Sequence, residues 1–361
     1  VDSPILTRRV DPDDPHRWAV RPLADPASLV SVERHPDMRT EAQLRERAVD
    51  VLRRPLDPVR AMWRVVMLVA PSGGGAIVFA FHHGLTDGPG VLAALQELFG
   101  VPASPPPQPP GRRPGVRGLG LLAAVARRAP RSRLNRPIAA GFRLAVAEIP
   151  LDGLHAGARA AGATINDAAL LAVAVAVHRL QLRAGEDLRR VVISVPVTAP
   201  GPGDALDRAN RVNLLRIAVP TTGHGTLGER LQQLARATRR RKRWLAGDPA
   251  PALAPLFSAV GALGLGRHIV DRQRMITTIL SDLHGPGDPL VIAGQPVHRI
   301  LAVSPDVGNV PLVFVGLSYA GRFTVTVRGA PAVWNELDAV AADVRQILAA
   351  IADPAAHATH P

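Results

Sequence analysis

Residues 82–88 read His82-His83-Gly84-Leu85-Thr86-Asp87-Gly88, two adjacent imidazoles followed closely by a carboxylate. An imidazole titrates near pH ~6.5, so it suits removal of a proton from a hydroxyl or amine around neutrality. Asp87 lies where it can accept from a ring N–H, or pair with an arginine and brace the turn. Gly88 lets a ligand or backbone approach where a side chain would intrude. Each residue also has a structural reading, the histidines as satisfied core groups and Asp87 as a helix N-cap. A metal site needs a further ligand, and strand alternation sends His82 and His83 to opposite faces, so no metal is expected. The residues alone leave base chemistry, core packing and capping open.

The flanking elements must position this motif. Residues 76–81 form an apolar run after the turn Ser72-Gly73-Gly74-Gly75, which predicts a buried strand ending at the histidines. Phe79 and Phe81 share the face of His83, so desolvation there favours the neutral ring. Residues 63–69 predict an antiparallel partner strand. A helix is predicted over 91–99, with Asp87 as N-cap and Pro89 in the first turn. Upstream, residues 1–40 are rich in proline, aspartate and arginine, with a short strand at 5–10. A helix over 40–54 is stopped by Pro55-Leu56-Asp57-Pro58.

Pro102, Pro105, Pro106, Pro107, Pro109, Pro110 and Pro114 crowd one stretch. Proline fixes φ and removes a donor, so this reads as a semi-rigid linker. The chain therefore divides into an N-terminal half (1–101), a linker with a basic helix at 117–128 (102–133), and a C-terminal half (134–361). In the second half, strands are predicted at 143–149, 191–197, 212–219, 275–280, 297–303, 310–319 and 323–327. Helices are predicted at 151–161, 164–182, 227–245 and 332–351. Thr164 and Asp167 read as a capping box, with Asn166 in the first helical turn. Strands and helices mix without strict alternation, which predicts an α/β fold with mixed, α+β-like sheets. Two halves of similar type imply a cleft, a common location for ligands.

The chain has 361 residues, 47% hydrophobic, enough for two cores. It has no cysteine, which excludes disulfides and thiolate chemistry and fits a reducing compartment. Its 43 basic residues against 30 acidic give a formal charge of +13 and point to anionic ligands or membrane surfaces. Aromatics are only 3%, too few for the stacking platforms of single-strand nucleic-acid binders, so no nucleic acid is expected. No apolar run approaches the about 18 residues of a membrane span. The start, Val1-Asp2-Ser3-Pro4, has neither a signal-peptide pattern nor an initiator methionine, and is expected to be a trimmed beginning.

His82-His83-Gly84-Leu85-Thr86-Asp87-Gly88 matches the HHxxxDG signature of CoA-dependent acyltransferases, and further segments follow in order. Pro55-Leu56-Asp57 with Trp63, Leu134-Asn135-Arg136-Pro137-Ile138, Thr164-Ile165-Asn166-Asp167, Asn210-Arg211-Val212, Gly285-Pro286 and Ser318-Tyr319-Ala320-Gly321 together resemble the wax ester synthase/diacylglycerol acyltransferase family. The resemblance runs from about residue 40 to the end. It implies two chloramphenicol-acetyltransferase-like domains with a tunnel between them, and triacylglycerol or wax ester synthesis in a bacterium. It implies His83 as general base, deprotonating an acceptor hydroxyl that attacks an acyl thioester. Asn166 becomes the candidate oxyanion donor. His82, Asp87, Gly88 and Asp167 become supports of the site. No cofactor is implied; acyl-CoA, or an acyl carrier protein, is the donor and a hydrophobic alcohol or diacylglycerol the acceptor.

The sequence departs from the family where P-L-W reads Ala61-Met62-Trp63 and N-V-P-G-P reads Asp282-Leu283-His284-Gly285-Pro286, in an expected loop. These changes favour, as an alternative, a specialised-metabolite hydroxyl or amine as acceptor. Arg239-Arg240-Arg241-Lys242-Arg243-Trp244 ends the long helix; it suits the helix dipole, an anionic membrane surface, or donor phosphates. The expected location is cytoplasmic, peripheral to the inner face of the membrane. A reading of another class is a non-catalytic lipid-binding protein on this scaffold.

Overall fold

The computed structural model describes residues 6–99, 128–198, 212–244 and 270–353, apart from positions 12, 14–17, 21–22, 24, 72, 87, 137 and 222–224. The chain falls into two units, one of residues 1–107 with 200–212 and one of 108–199 with 213–361. Asp87, the proline-rich linker and residues 117–127 of the basic helix lie outside the described residues.

In the first unit a short hairpin of β1 (Arg8–Val10) and β2 (Trp18–Val20) precedes a three-stranded sheet. Its strands are β3 (Val30–Arg34), β4 (Trp63–Val69) and β5 (Gly75–Phe81), with β4 central. The glycine turn joins β4 and β5 antiparallel, Trp63 opposite Phe81 and Val69 opposite Gly75. Gly75 is required there: a Cβ would sit 2.0 Å from the Leu68 carbonyl oxygen. Helix α1 (Glu41–Arg53) starts at a capping box of Thr40 and Gln43. Its Val51 packs with Val66, Leu68 and Val78 on one sheet face. Trp63, Val65, Phe79 and Phe81 cover the other face with Leu6, Leu85 and Ala94, the last from α2 (Gly88–Leu98).

The second unit is a six-stranded mixed sheet. Its strands are β6 (Arg143–Pro150), β7 (Arg190–Thr198), β8 (Val212–Pro220), β9 (Thr278–His284), β12 (Leu312–Tyr319) and β13 (Arg322–Gly329), ordered β6-β13-β12-β9-β7-β8. A hairpin of β10 (Val291–Ile292) and β11 (Gln295–Pro296) stands apart. The helices are α3 (Leu151–Ala160), α4 (Ile165–Arg183), α5 (Leu227–Trp244) and α6 (Leu337–Ala352). Helix α4 is buried from Asp167 through Val177, and its alanines let neighbours approach closely. By length and composition α4 is long and apolar enough to cross a membrane, but it forms the core of this unit.

Three expected elements change. The strand expected at 275–280 starts at Thr278, because the Gln273 amide accepts from the Met275 and Ile276 N–H groups (2.7 and 3.1 Å) and Asn135 donates to the Ile276 carbonyl (2.9 Å). Residues 297–303 pair with no strand. They are pinned by side chains instead: Tyr319 donates to the Val297 carbonyl at 2.7 Å and Arg299 meets Glu148 at 2.8 Å. The last helix opens as a 3-10 turn, Pro331–Glu336, before α6.

Candidate active site

The histidine motif begins where the β4–β5 ladder ends. The His82 N–H donates to the Met62 carbonyl at 2.7 Å, and the Leu85 N–H returns to the His82 carbonyl at 2.9 Å. The chain thus leaves the pleat at Phe81 and turns. Strand alternation therefore does not set the two rings, and both histidines are exposed where His83 was expected against Phe79 and Phe81. Leu85, 1% exposed, drops into the cluster beneath the turn and anchors it. Met62, in the segment that departs from the family pattern, supplies the carbonyl that holds the first histidine.

The turn gives the two imidazoles opposite tautomers. His83 Nδ1 lies 3.1 Å from the Thr86 carbonyl oxygen. A carbonyl only accepts, so Nδ1 carries the proton and Nε2 the lone pair. His82 Nδ1 accepts from the Gly84 N–H at 3.1 Å, which puts the proton of its neutral ring on Nε2. Of the pair, only His83 presents a basic Nε2. Thr86 was missed as a site residue, since only the folded turn shows its carbonyl at the ring. Its own hydroxyl is buried and has no partner among the described residues. Gly88 is the first residue of α2.

In the second unit the capping box forms as expected. The Thr164 N–H and hydroxyl donate to Asp167 Oδ2 (3.0 and 2.8 Å), and the Asp167 N–H donates to the Thr164 hydroxyl (3.2 Å). The free oxygen, Asp167 Oδ1, accepts from the Thr238 hydroxyl of α5 at 2.6 Å. Asp167 is 2% exposed and ties two helices together. Asn166, one residue earlier, contrasts with it. Both polar atoms of its amide are buried, and neither has a partner among the described residues. A buried amide without partners is costly, and a substrate's polar group is one way to satisfy it.

The Gly285-Pro286 and Ser318-Tyr319-Ala320-Gly321 segments meet side by side, while Asn210 and Arg211 lie outside the described residues. The Gly285 N–H donates to the Ser318 carbonyl (2.8 Å) and the Ala320 N–H to the Pro286 carbonyl (3.1 Å). Asp282 lies in strand β9, not in a loop, and its Oδ1 is 3.4 Å from where a Cβ on Gly316 would be. Asn135 and Asn309 clamp the start of this unit, the Asn309 amide donating to the Asn135 carbonyl at 3.3 Å. Of the basic run, Arg239 donates to the Gly162 carbonyl at 2.6 Å, while Arg240 and Arg241 are exposed. Lys242, Arg243 and Trp244 continue α5, but their side chains lie outside what the structure describes. Among the described residues, no three His, Cys, Asp or Glu side chains group as metal ligands.

Known proteins place these motifs. Residues 209–352 match the family model of the WS/DGAT C-terminal domain. A relative from Mycobacterium tuberculosis strain H37Rv, named "Probable diacyglycerol O-acyltransferase tgs1", is 27% identical over 331 residues, covering 79% of this chain and 70% of its own. The fold is similar to the wax ester synthase/diacylglycerol acyltransferase of Marinobacter aquaeolei VT8, with TM-score 0.69, 20% identity, and 97% and 86% of the two chains covered. It is also similar to the first condensation domain of the CDA synthetase, with TM-score 0.61, 17% identity, and 99% and 86% covered. Residues 209–352 are thus similar to the WS/DGAT C-terminal domain, and the chain as a whole is similar in sequence to a diacylglycerol O-acyltransferase and in fold to a wax ester synthase/diacylglycerol acyltransferase.

Proposed function

We propose that this chain transfers a fatty acyl group from acyl-CoA to a hydrophobic alcohol or a diacylglycerol, with His83 as general base. The observation that supports it is the tautomer pair: in the neutral rings the Thr86 carbonyl puts the lone pair of His83 on Nε2, whereas the Gly84 N–H puts that of His82 on Nδ1. His83 Nε2 takes the acceptor's hydroxyl proton as its oxygen attacks the thioester carbonyl carbon. The carbonyl oxygen becomes an oxyanion, and the Asn166 amide is the donor assigned to it. Collapse restores the carbonyl and breaks the C–S bond, and the departing thiolate takes the proton back from His83 Nε2. No acyl-enzyme forms. We place the reaction in the cytoplasm, with a membrane as the source of the lipid acceptor.

The test is His83→Ala in an assay of CoA release with long-chain acyl-CoA and fatty alcohol or diacylglycerol. The expected loss in kcat is about 10²–10⁴-fold. Activity near wild type, or a larger loss for His82→Ala than for His83→Ala, refutes the assignment. Asp282, a carboxylate where the resembled motif has asparagine, favours an amine-bearing specialised acceptor as the second reading. A panel in which neutral-lipid acceptors outperform all amines removes it.

A further inference from the structure

The exposed side of α5 carries cations that no acid answers among the described residues. Arg236, Arg239, Arg240 and Arg241 are all exposed. Arg239 is engaged by the Gly162 carbonyl, while Arg236, Arg240 and Arg241 make no hydrogen bond or ion pair among the described residues. The one acid of the helix, Glu229, faces back to its own cap, accepting from the Thr226 N–H at 2.9 Å. On strand β8 a further guanidinium, Arg216, is half-buried. Its pKa is pushed down, by burial first and by the charge of Arg241 second. Exposed cations crowded in this way on one helix gain free energy when an anion arrives.

The anion's source follows from what α5 lacks. A helix that lies in a bilayer surface presents apolar side chains to it. Here Leu227, Leu231, Leu234 and Ala235 are buried in the core. Among the described side chains, the outward face offers charge and no large apolar group, which suits a soluble phosphate over a lipid surface. The cluster also borders the first turn of α4, through Thr238 on Asp167 and Arg239 on Gly162, next to the unpartnered Asn166 amide.

We propose that Arg240 and Arg241, exposed side by side on α5, bind the phosphate-bearing end of the acyl donor. This rests on the acyl-transfer reading of the chain. The phosphate belongs either to coenzyme A or to the phosphopantetheine arm of a carrier protein. Both guanidiniums point at exposed surface, so their replacement leaves the core intact.

The experiment compares the full chain with Arg240→Glu/Arg241→Glu. Calorimetric titration with CoA and with pantetheine, which bears no phosphate, reads binding without turnover. CoA affinity is expected to fall at least about tenfold, the order of one lost charge-assisted hydrogen bond. Turnover is then compared for palmitoyl-CoA, palmitoyl-loaded carrier protein and palmitoyl-pantetheine. A loss confined to palmitoyl-CoA assigns the coenzyme's nucleotide phosphates; a loss for carrier protein as well assigns the shared phosphopantetheine phosphate. An equal loss for palmitoyl-pantetheine, or unchanged CoA binding, overturns the proposal. So does lost binding to phosphatidylglycerol vesicles with donor binding unchanged, which would assign a lipid surface. CoA binding that depends on the arginines, in a protein that turns over no thioester, would keep the docking site and sink the proposed reaction.

Discussion

Asn166 and Asp167 are neighbours in one helical turn, and the structure predicts opposite consequences for removing them. Asp167→Ala takes away the acceptor of the Thr164 cap and of the Thr238 hydroxyl. Thr238 keeps a weaker alternative, the Ala235 carbonyl at 3.1 Å. The cap is worth about 1 kcal/mol, and the charge-assisted bond from Thr238 about 1.5–3 kcal/mol. The sum, about 3 kcal/mol, is a large part of a typical stability of about 5–15 kcal/mol. Asn166→Ala breaks no hydrogen bond among the described residues and relieves a buried, unsatisfied amide. Alanine is also the better helix former. Its expected effect runs from neutral to about 1 kcal/mol more stable. As oxyanion donor, Asn166 should nevertheless cost about 10²–10³-fold in kcat. Urea unfolding midpoints at constant m, with kcat for each variant, separate the two residues. An Asn166→Ala protein as unstable as Asp167→Ala would show that the amide is engaged in the fold, and would refute the reasoning. Full activity in a stable Asn166→Ala protein would refute the oxyanion role alone.

Two further outcomes are expected. Burial, more than any charge, holds His178 below its ordinary value of 6.5, with Asp187 opposing and Arg230 assisting. Below about pH 6.5 the unfolded chain therefore binds more protons than the native one, and stability falls as pH drops from there. Unfolding midpoints between pH 7.5 and 5.5 should show a shallower loss in His178→Gln; an unchanged slope would assign the effect to other groups. Ala293 has φ of 50° in the turn before Gly294, a conformation that costs an alanine about 1 kcal/mol and suits Asn-Gly. Ala293→Asn should raise Tm by about 1–3 °C, read by calorimetry; a fall would show that the turn's backbone is not strained.

Local signals were legible where the physics is local. The capping box at Thr164 and Asp167, and the hairpin through the glycine turn, form as their residue patterns dictate. The strand expected at 297–303 does not form: an apolar run says nothing about a backbone partner. The anchors Tyr319 and Glu148 come from other strands. The start of β9 was misplaced because the amides of Gln273 and Asn135 compete for its first backbone groups. At the site, the resemblance singled out His83 over His82, and alternation, which ends at Phe81, says nothing of how either ring is held. The decision instead lies with two backbone groups, Thr86 C=O and Gly84 N–H, that only the folded turn aims at the rings.

The two proposed catalytic groups are therefore secured by different kinds of structure. The His83 tautomer is set by a carbonyl three residues away, inside one turn, with Leu85 as its anchor. The turn on which Asn166 rides is fixed by Thr238, 71 residues further along the chain, so the amide depends on α5 being docked against α4. Local opening of a peripheral helix costs less than global unfolding. Loosening α5 would then disperse the amide and the arginine cluster together while leaving the base and its tautomer unchanged. Thr238→Val removes the interhelical bond, together with the hydroxyl's contact to the Ala235 carbonyl within α5, and keeps the side-chain volume. It should lower kcat and weaken CoA binding in one step, with the pH dependence attributable to His83 unmoved. If Thr238→Val instead altered that pH profile, the base and the donor would not be independent, and the division between local and long-range support would fail.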